Sequence, residues 1–496
     1  MSFTRRQFCA GAAAALWPPA SRAATRPPVL IWIIAEQFRP DYFDDLWPLL
    51  GPGGFRRLIE TGSYFPNCQF ESAAFTSSGI ATLLTGSWPS QHGVVANRWF
   101  DELTGKPHDA VAADLRAGTW FDPIVESARN RSFVIASGSG ASLLAGIPST
   151  RSFIADENGW RSADSGSPDW YRDFLSTDPA SKWRGAVWMA ANARPDATPL
   201  RKLEPSEWPG IYNSSPFAQA HQFSLLRETI LRERIGPRAA ENGGIDVVTV
   251  LLGSLGDLGV ETGADSPLMR DMALHLDGQI SSLLDLLDTQ CGRDNYTVAF
   301  TAARGLDVRT PARRAADGEP IVNAMQRAFA SALDTDRTKR NYVRAWLYPF
   351  VYLNHQSLAQ AKMDIAEARR LAAATAMQAG KANGYYTADG DTSFTGPWRE
   401  RFANSMSPQR SGDLMLSFPP HYADNSEVVA GGSLYNYDTR VPLLLYGPAF
   451  RPETFENTVR AIDIAPTLAR VFGLDLPDSS SGRVLGDAIA PPRIAR

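Results

Sequence analysis

Five predominantly apolar runs constrain this chain more than any other feature: residues 29–35, 132–136, 246–252, 296–301 and 441–446. A strand that is apolar on both faces cannot border water, so each run reads as a buried strand between two helical layers. Helical patterns lie between the runs. Residues 266–287 carry apolar side chains at three- and four-residue steps, and residues 358–379 are Ala-rich. Residues 463–472 begin near Asp463 and stop before Gly473. This alternation predicts an α/β fold, a mostly parallel central sheet flanked by helices. Residues about 100–240 and about 306–410 break the pattern and are expected to be inserted cap segments. No internal repeat is present.

The first 23 residues read as a twin-arginine export signal, with residues 24–496 as the mature domain. Arg5-Arg6-Gln7-Phe8 precedes a short apolar stretch from Ala10 to Trp17, and Ser21-Arg22-Ala23 supplies small residues for cleavage. The stretch is far below the roughly 20 residues of a membrane span, so a periplasmic or secreted protein is expected rather than an integral membrane one. Apolar residues make up 44% of the chain, too many for disorder, and 49 basic against 53 acidic residues argue against a charge-driven nucleic-acid binder. The mature chain keeps Cys68 and Cys291, which an oxidising compartment would allow to pair or leave as two thiols.

Ligands of such a sheet gather beyond the carboxyl ends of its strands. The segments there are Glu36 to Tyr42, Phe75-Thr76-Ser77-Ser78-Gly79, the stretch from Leu84 through His92 to Asn97-Arg98, and Thr301-Ala302-Ala303-Arg304-Gly305. Arg410-Ser411-Gly412-Asp413, Tyr437-Asp438-Thr439-Arg440 and Asp463-Ile464-Ala465-Pro466 follow. In this order they resemble the alkaline phosphatase superfamily, specifically the secreted two-zinc bacterial phosphatases related to type I phosphodiesterases and nucleotide pyrophosphatases. The resemblance spans nearly the whole mature chain. It implies a metal-dependent phosphoric ester hydrolase, with zinc held by Asp and His and a Thr nucleophile. Thr76 falls on the nucleophile position and Asn97 on the position whose amide steadies a phosphate oxygen.

The ligand positions depart from the family. Its first-strand Asp is Glu36, its Asp-His pair is Ala303-Arg304, its Thr-His-Gly is Ala430-Gly431-Gly432, and its later His is Arg440. An Asp-x-x-x-His falls on Gly256 and Val260 in ungapped alignment. Shifted by one residue it falls on Asp257 and Glu261, which with Glu36 would give a carboxylate site for one Mg or Ca ion. The family's lid Lys and Arg fall on Ser137 and Ser139. None of the six histidines, His92, His108, His221, His275, His355 and His421, falls on a ligand position, and His92 reads as structural. A zinc pair is therefore not expected, and the leading expectation is no cofactor.

Arg304 and Arg440 bring guanidinium charge to former ligand positions. They could form a self-neutralised ion-pair cluster, or an anion pocket with Asn97 and the helix amides around Thr76. The expected function is a pseudoenzyme that binds a phosphate-like anion or a periplasmic protein, with hydrolysis lost or strongly reduced. The alternative is an active phosphomonoesterase or phosphodiesterase using Thr76 and a remodelled carboxylate metal site. A third possibility is a scaffold that exposes aromatic side chains from the Trp-rich stretch near residues 160–210.

Overall fold

The computed structural model describes residues 27–491 except 157–158, 164–165, 195, 309–317, 334–339, 408 and 423–430. The export signal and Ala430 therefore lie outside the described residues. No helix among the described residues is long and apolar enough to cross a membrane.

A ten-stranded sheet organises the molecule: β1 (Val29–Gln37), β2 (Ser63–Gln69), β3 (Arg131–Ala136), β4 (Arg151–Asp156), β5 (Gly159–Ser162), β6 (Asp246–Leu252), β7 (Tyr296–Arg304), β8 (Arg440–Tyr446), β9 (Glu453–Thr454) and β10 (Val459–Arg460). Its order is β9-β2-β8-β7-β1-β6-β3-β4-β5, with β10 also on β2. Strands β7, β1, β6, β3 and β4 are mutually parallel. All nine residues of β1 and all nine of β7 are buried, as strands covered on both faces must be. Helices close both layers, among them α1 (Thr76–Thr85), α2 (Pro216–Arg232), α3 (Gly253–Thr262) and α4 (Pro267–Gln290). The Ser266 hydroxyl caps α4 by accepting from the Met269 amide at 3.1 Å, with Pro267 next in sequence.

Several expectations need correction. The run at 441–446 is a strand, but β8 is antiparallel to both neighbours. The helix expected over 358–379 is two helices, His355–Gln360 and Ile365–Gln378. Lys362 takes a left-handed φ of 59°, and the Asp364 carboxylate caps the second helix. Residues 131–162 supply three strands to the large sheet, so the stretch 100–240 is not one insertion. Only its later part, from about 166 to 215, forms a roof. Residues 343–417 supply a second sheet. Val343–Leu347, Phe350–Leu353, Leu414–Ser417 and Gly384–Thr387 make a four-stranded antiparallel sheet. Helices Gly318–Leu333 and Ile365–Gln378 pack on it around their own core of Ile321, Phe329, Val351 and Ala372.

The roof uses its tryptophans internally. Trp188 is buried and donates to the Asp271 carboxylate at 2.6 Å, Trp183 stacks on Phe217, and Trp208 stacks on Tyr212. Among the described residues no Trp is fully exposed. Cys68 is buried in β2 and Cys291 sits at the end of α4, both as free thiols.

Candidate functional site: an arginine-centred cavity at the carboxyl edge of the sheet

Parallel register brings two of the expected residues together. Gln37 pairs with Arg304 across β1 and β7, so Glu36 and Arg304 both stand at the carboxyl edge. The helix α1 starts there too. The Phe75 amide donates to the Ser78 hydroxyl at 3.1 Å, and the Ser77 amide donates to Asn97 Oδ1 at 2.9 Å. That bond fixes the Asn97 carboxamide with its oxygen inward and leaves its NH2 for the cavity side. The cavity holds about 490 Å³. It is lined by Glu36, Thr76, Asn97 and Arg304 from the sheet edge, Gly256, Asp257, Val260 and Glu261 from α3, and Arg201 with Gly210, Ile211, Asn213 and Ser214 from the roof.

Glu36 is only 2% exposed, and its carboxyl is enclosed by glycines. The Gly140 amide and Ser139 hydroxyl donate to its Oε1 at 2.7 and 3.1 Å. A methyl group on Gly256 would lie 2.1 Å from Oε2, and one on Gly138 would lie 2.7 Å from Oε1. The longer carboxylate therefore occupies room that a side chain at 256 would need, which explains why Glu at 36 accompanies Gly at 256. Burial, then the negative charge of Asp257, push the Glu36 carboxyl up to about 8. Burial alone pushes Asp257 up to about 6.

Arg304 is 3% exposed, and its Nε donates to Thr76 Oγ1 at 3.4 Å. One guanidinium nitrogen lies 3.7 Å from Asp438, a residue 1% exposed whose other oxygen accepts from the Ser433 amide and hydroxyl. Burial raises the Asp438 carboxyl to about 6 even though Arg304 opposes the shift. A methyl group on Gly431 would lie 2.7 Å from the Arg304 guanidinium carbon. Gly431 is the position where the resemblance places a ligand His, so Arg304 fills space that an imidazole would need.

Two expected placements fail. Arg440 does not line the cavity. Its side chain turns to the Pro66 carbonyl (3.0 Å) and to Asp41 (3.4 Å), because β8 pairs with β2 at that position. The carboxylate triad does not assemble either. Both oxygens of Glu261 are held by the fork of Arg201 at 2.8 and 3.0 Å, while Glu36 is turned into the Ser139-Gly140 loop. Among the described residues no three of His, Cys, Asp and Glu come together as a metal-binding group.

The donor set does not fit two zinc ions. The cavity presents no imidazole, and a fixed guanidinium stands beside Thr76. The histidines have other duties. His92 is buried between Thr82 and the Val94 amide, and burial lowers its pKa to about 3, so it is a neutral structural ring. His108, His221, His275, His355 and His421 bond Asp114, Tyr212, Asp271, Asp413 and Asp307. Sequence reasoning missed Asp438 as the partner of Arg304, although it lies inside a quoted segment. It also missed Arg201, for which no sequence signal exists because the roof reaches the cavity only through tertiary packing.

Alkaline phosphatase PhoV of Synechococcus elongatus is 22% identical over 94% of each chain. Alkaline phosphatase PafA of Elizabethkingia meningoseptica is 23% identical over 95% of this chain and 96% of its own. The crystal structure of wild-type PafA superposes with a TM-score of 0.83 at 20% identity, covering 94% of this chain and 99% of that one, so the two share a fold. The model of the type I phosphodiesterase / nucleotide pyrophosphatase family matches residues 30–427, and this chain belongs to that family, within the alkaline phosphatase superfamily.

Proposed function

We propose that this protein is a metal-free pseudoenzyme that binds a phosphate-like anion at the carboxyl edge of its sheet. The observation that carries the reading is the Arg304 guanidinium, enclosed in the room beside Gly431 and 3.4 Å from Thr76 Oγ1. With the Asn97 carboxamide and the start of α1, it supplies the donors a tetrahedral oxyanion needs. No Lys or His lines the cavity, the Glu36 carboxyl is turned into the Ser139-Gly140 loop, and the Thr76 hydroxyl accepts from Arg304, which cannot take its proton; a Thr hydroxyl unassisted by a base is a poor nucleophile. The exported location read from Arg5 and Arg6 completes the proposal.

An active phosphomonoesterase or phosphodiesterase is the second reading, favoured by the presence of Thr76 at the helix start in a chain whose relatives are named phosphatases. It would need Glu36 and Asp257 to turn toward a cation. Thermal denaturation in sodium phosphate or sulfate tests the first reading. The melting temperature is expected to rise with anion concentration, reflecting about 2.7 kcal/mol of added stability at a hundred times Kd. Asn97→Ala is expected to weaken the effect several-fold. Absence of any anion-dependent shift would remove the proposal.

A further inference from the structure

A second chamber of about 300 Å³ opens beside the first, and Gly210, Asn213 and Asp257 line both. The two spaces therefore adjoin, and they make two differently built ends of one region. The first end carries Arg304 and Arg201. The second is walled by Trp160, Tyr212, Pro209, Ala155, Ala180 and Ala218.

These walls are fixed before any ligand arrives. The Tyr212 hydroxyl bonds His221 Nδ1 at 2.8 Å, and its ring stacks on Trp208 with centroids 4.6 Å apart. Trp160 sits on β5 in register with Ala155 of β4. Charge sets the polarity of the site. Asp257 stands where the chambers meet, and Asp156 on the wall of the second pairs with Arg161 at 2.8 Å. A second anionic group reaching into this chamber would meet the Asp257 carboxyl and an Asp156 already paired with Arg161, with no cation among the lining residues.

Resting on the anion-binding reading above, we infer that the ligand is a monoester with one anionic group and an uncharged aryl body, the anion on Arg304 and the ring against Trp160 and Tyr212. Its combined size falls within the range of small-molecule sites. Diphosphates and longer polyphosphates are disfavoured, because Arg201, the other cation of the first end, is already paired with Glu261 and the second end has no cation among its lining residues.

Titration calorimetry of the full mature chain with phenyl phosphate, inorganic phosphate and ADP tests this. Burying one ring predicts that phenyl phosphate binds about tenfold or more tighter than inorganic phosphate, with ADP no tighter than inorganic phosphate. Trp160→Ala is expected to erase the aryl advantage while inorganic phosphate binds within about twofold of its original affinity. Ala218→Phe, at a half-buried helical position, is expected to do the same by filling the chamber, and covers the case in which Trp160→Ala fails to fold. Equal affinity for phenyl and inorganic phosphate in the unaltered protein would overturn the inference and leave the anion pocket standing. An aryl advantage that survives both substitutions would also overturn it. Binding of none of the three would overturn the inference and the anion pocket together.

Discussion

Replacing Arg304 with methionine is expected to cost about 3–5 kcal/mol of stability at pH 8, the penalty for stranding a buried charge. The stranded group is Asp438, which has Arg304 as its cationic neighbour at 3.7 Å and is 1% exposed. The cost should shrink in acid. Asp438 is pushed up to about 6 with the guanidinium in place, and losing that charge raises it further. At pH 5 the carboxyl is then neutral and little charge is stranded. Adding Asp438→Asn should recover most of the loss at pH 8, since the amide oxygen can still accept from Ser433. Neither variant should show the phosphate-dependent rise in melting. Denaturant unfolding of the four proteins of this cycle at pH 5 and pH 8 gives the coupling directly. An Arg304→Met variant as stable as the parent at pH 8 would mean that Arg304 does not balance Asp438.

Glu36→Gln is expected to make the protein more stable in mild alkali and to leave it nearly unchanged near pH 5. The carboxyl ordinarily titrates at 4.5 and is raised to about 8 in the folded chain. Between those values the folded chain holds a proton that the unfolded chain has released. Stability from this group is therefore complete below about pH 4.5 and is lost as pH rises to about 8, at about 1.4 kcal/mol per pH unit. Glutamine removes the titration and keeps the acceptor for Gly140 and Ser139. Asp257 and Asp438, both about 6, titrate in the same direction in parent and variant, so the difference between the two profiles isolates Glu36. Phosphate binding should follow the same logic. It weakens above pH 8 in the parent, where Glu36 ionises beside the anion, and persists in the variant. Parallel stability profiles from pH 5 to 9 would show that Glu36 is already ionised in the fold.

Much of this was legible in the residues because burial on both faces leaves a plain mark. The runs that became β1, β3, β6 and β7 are predominantly apolar and were readable as strands. Strand β2 was not, since Pro66 and Asn67 interrupt it and its ladder with β8 shifts register between Val441 and Leu443. Strands β4 and β5 were hidden in a stretch rich in polar and small residues, where short edge strands lack an apolar signature. At the site, Glu36 and Arg304 could be placed because they stand at the ends of buried strands, and Thr76 and Asn97 through the family resemblance. The direction of Arg440 could not, because the side chain of a strand-end residue is set by the pairing of its neighbour. The Arg201–Glu261 fork joins residues 60 positions apart through the fold of the roof, and neither shows its partner in sequence.

Guanidinium charge stands where the family resemblance places divalent metal. Hydrolysis of phenyl phosphate by the purified mature chain, with and without added zinc or magnesium and against a Thr76→Ala control, tests that most directly. The expected result is a rate indistinguishable between the two proteins under every condition. Metal-stimulated turnover that disappears in Thr76→Ala would contradict it.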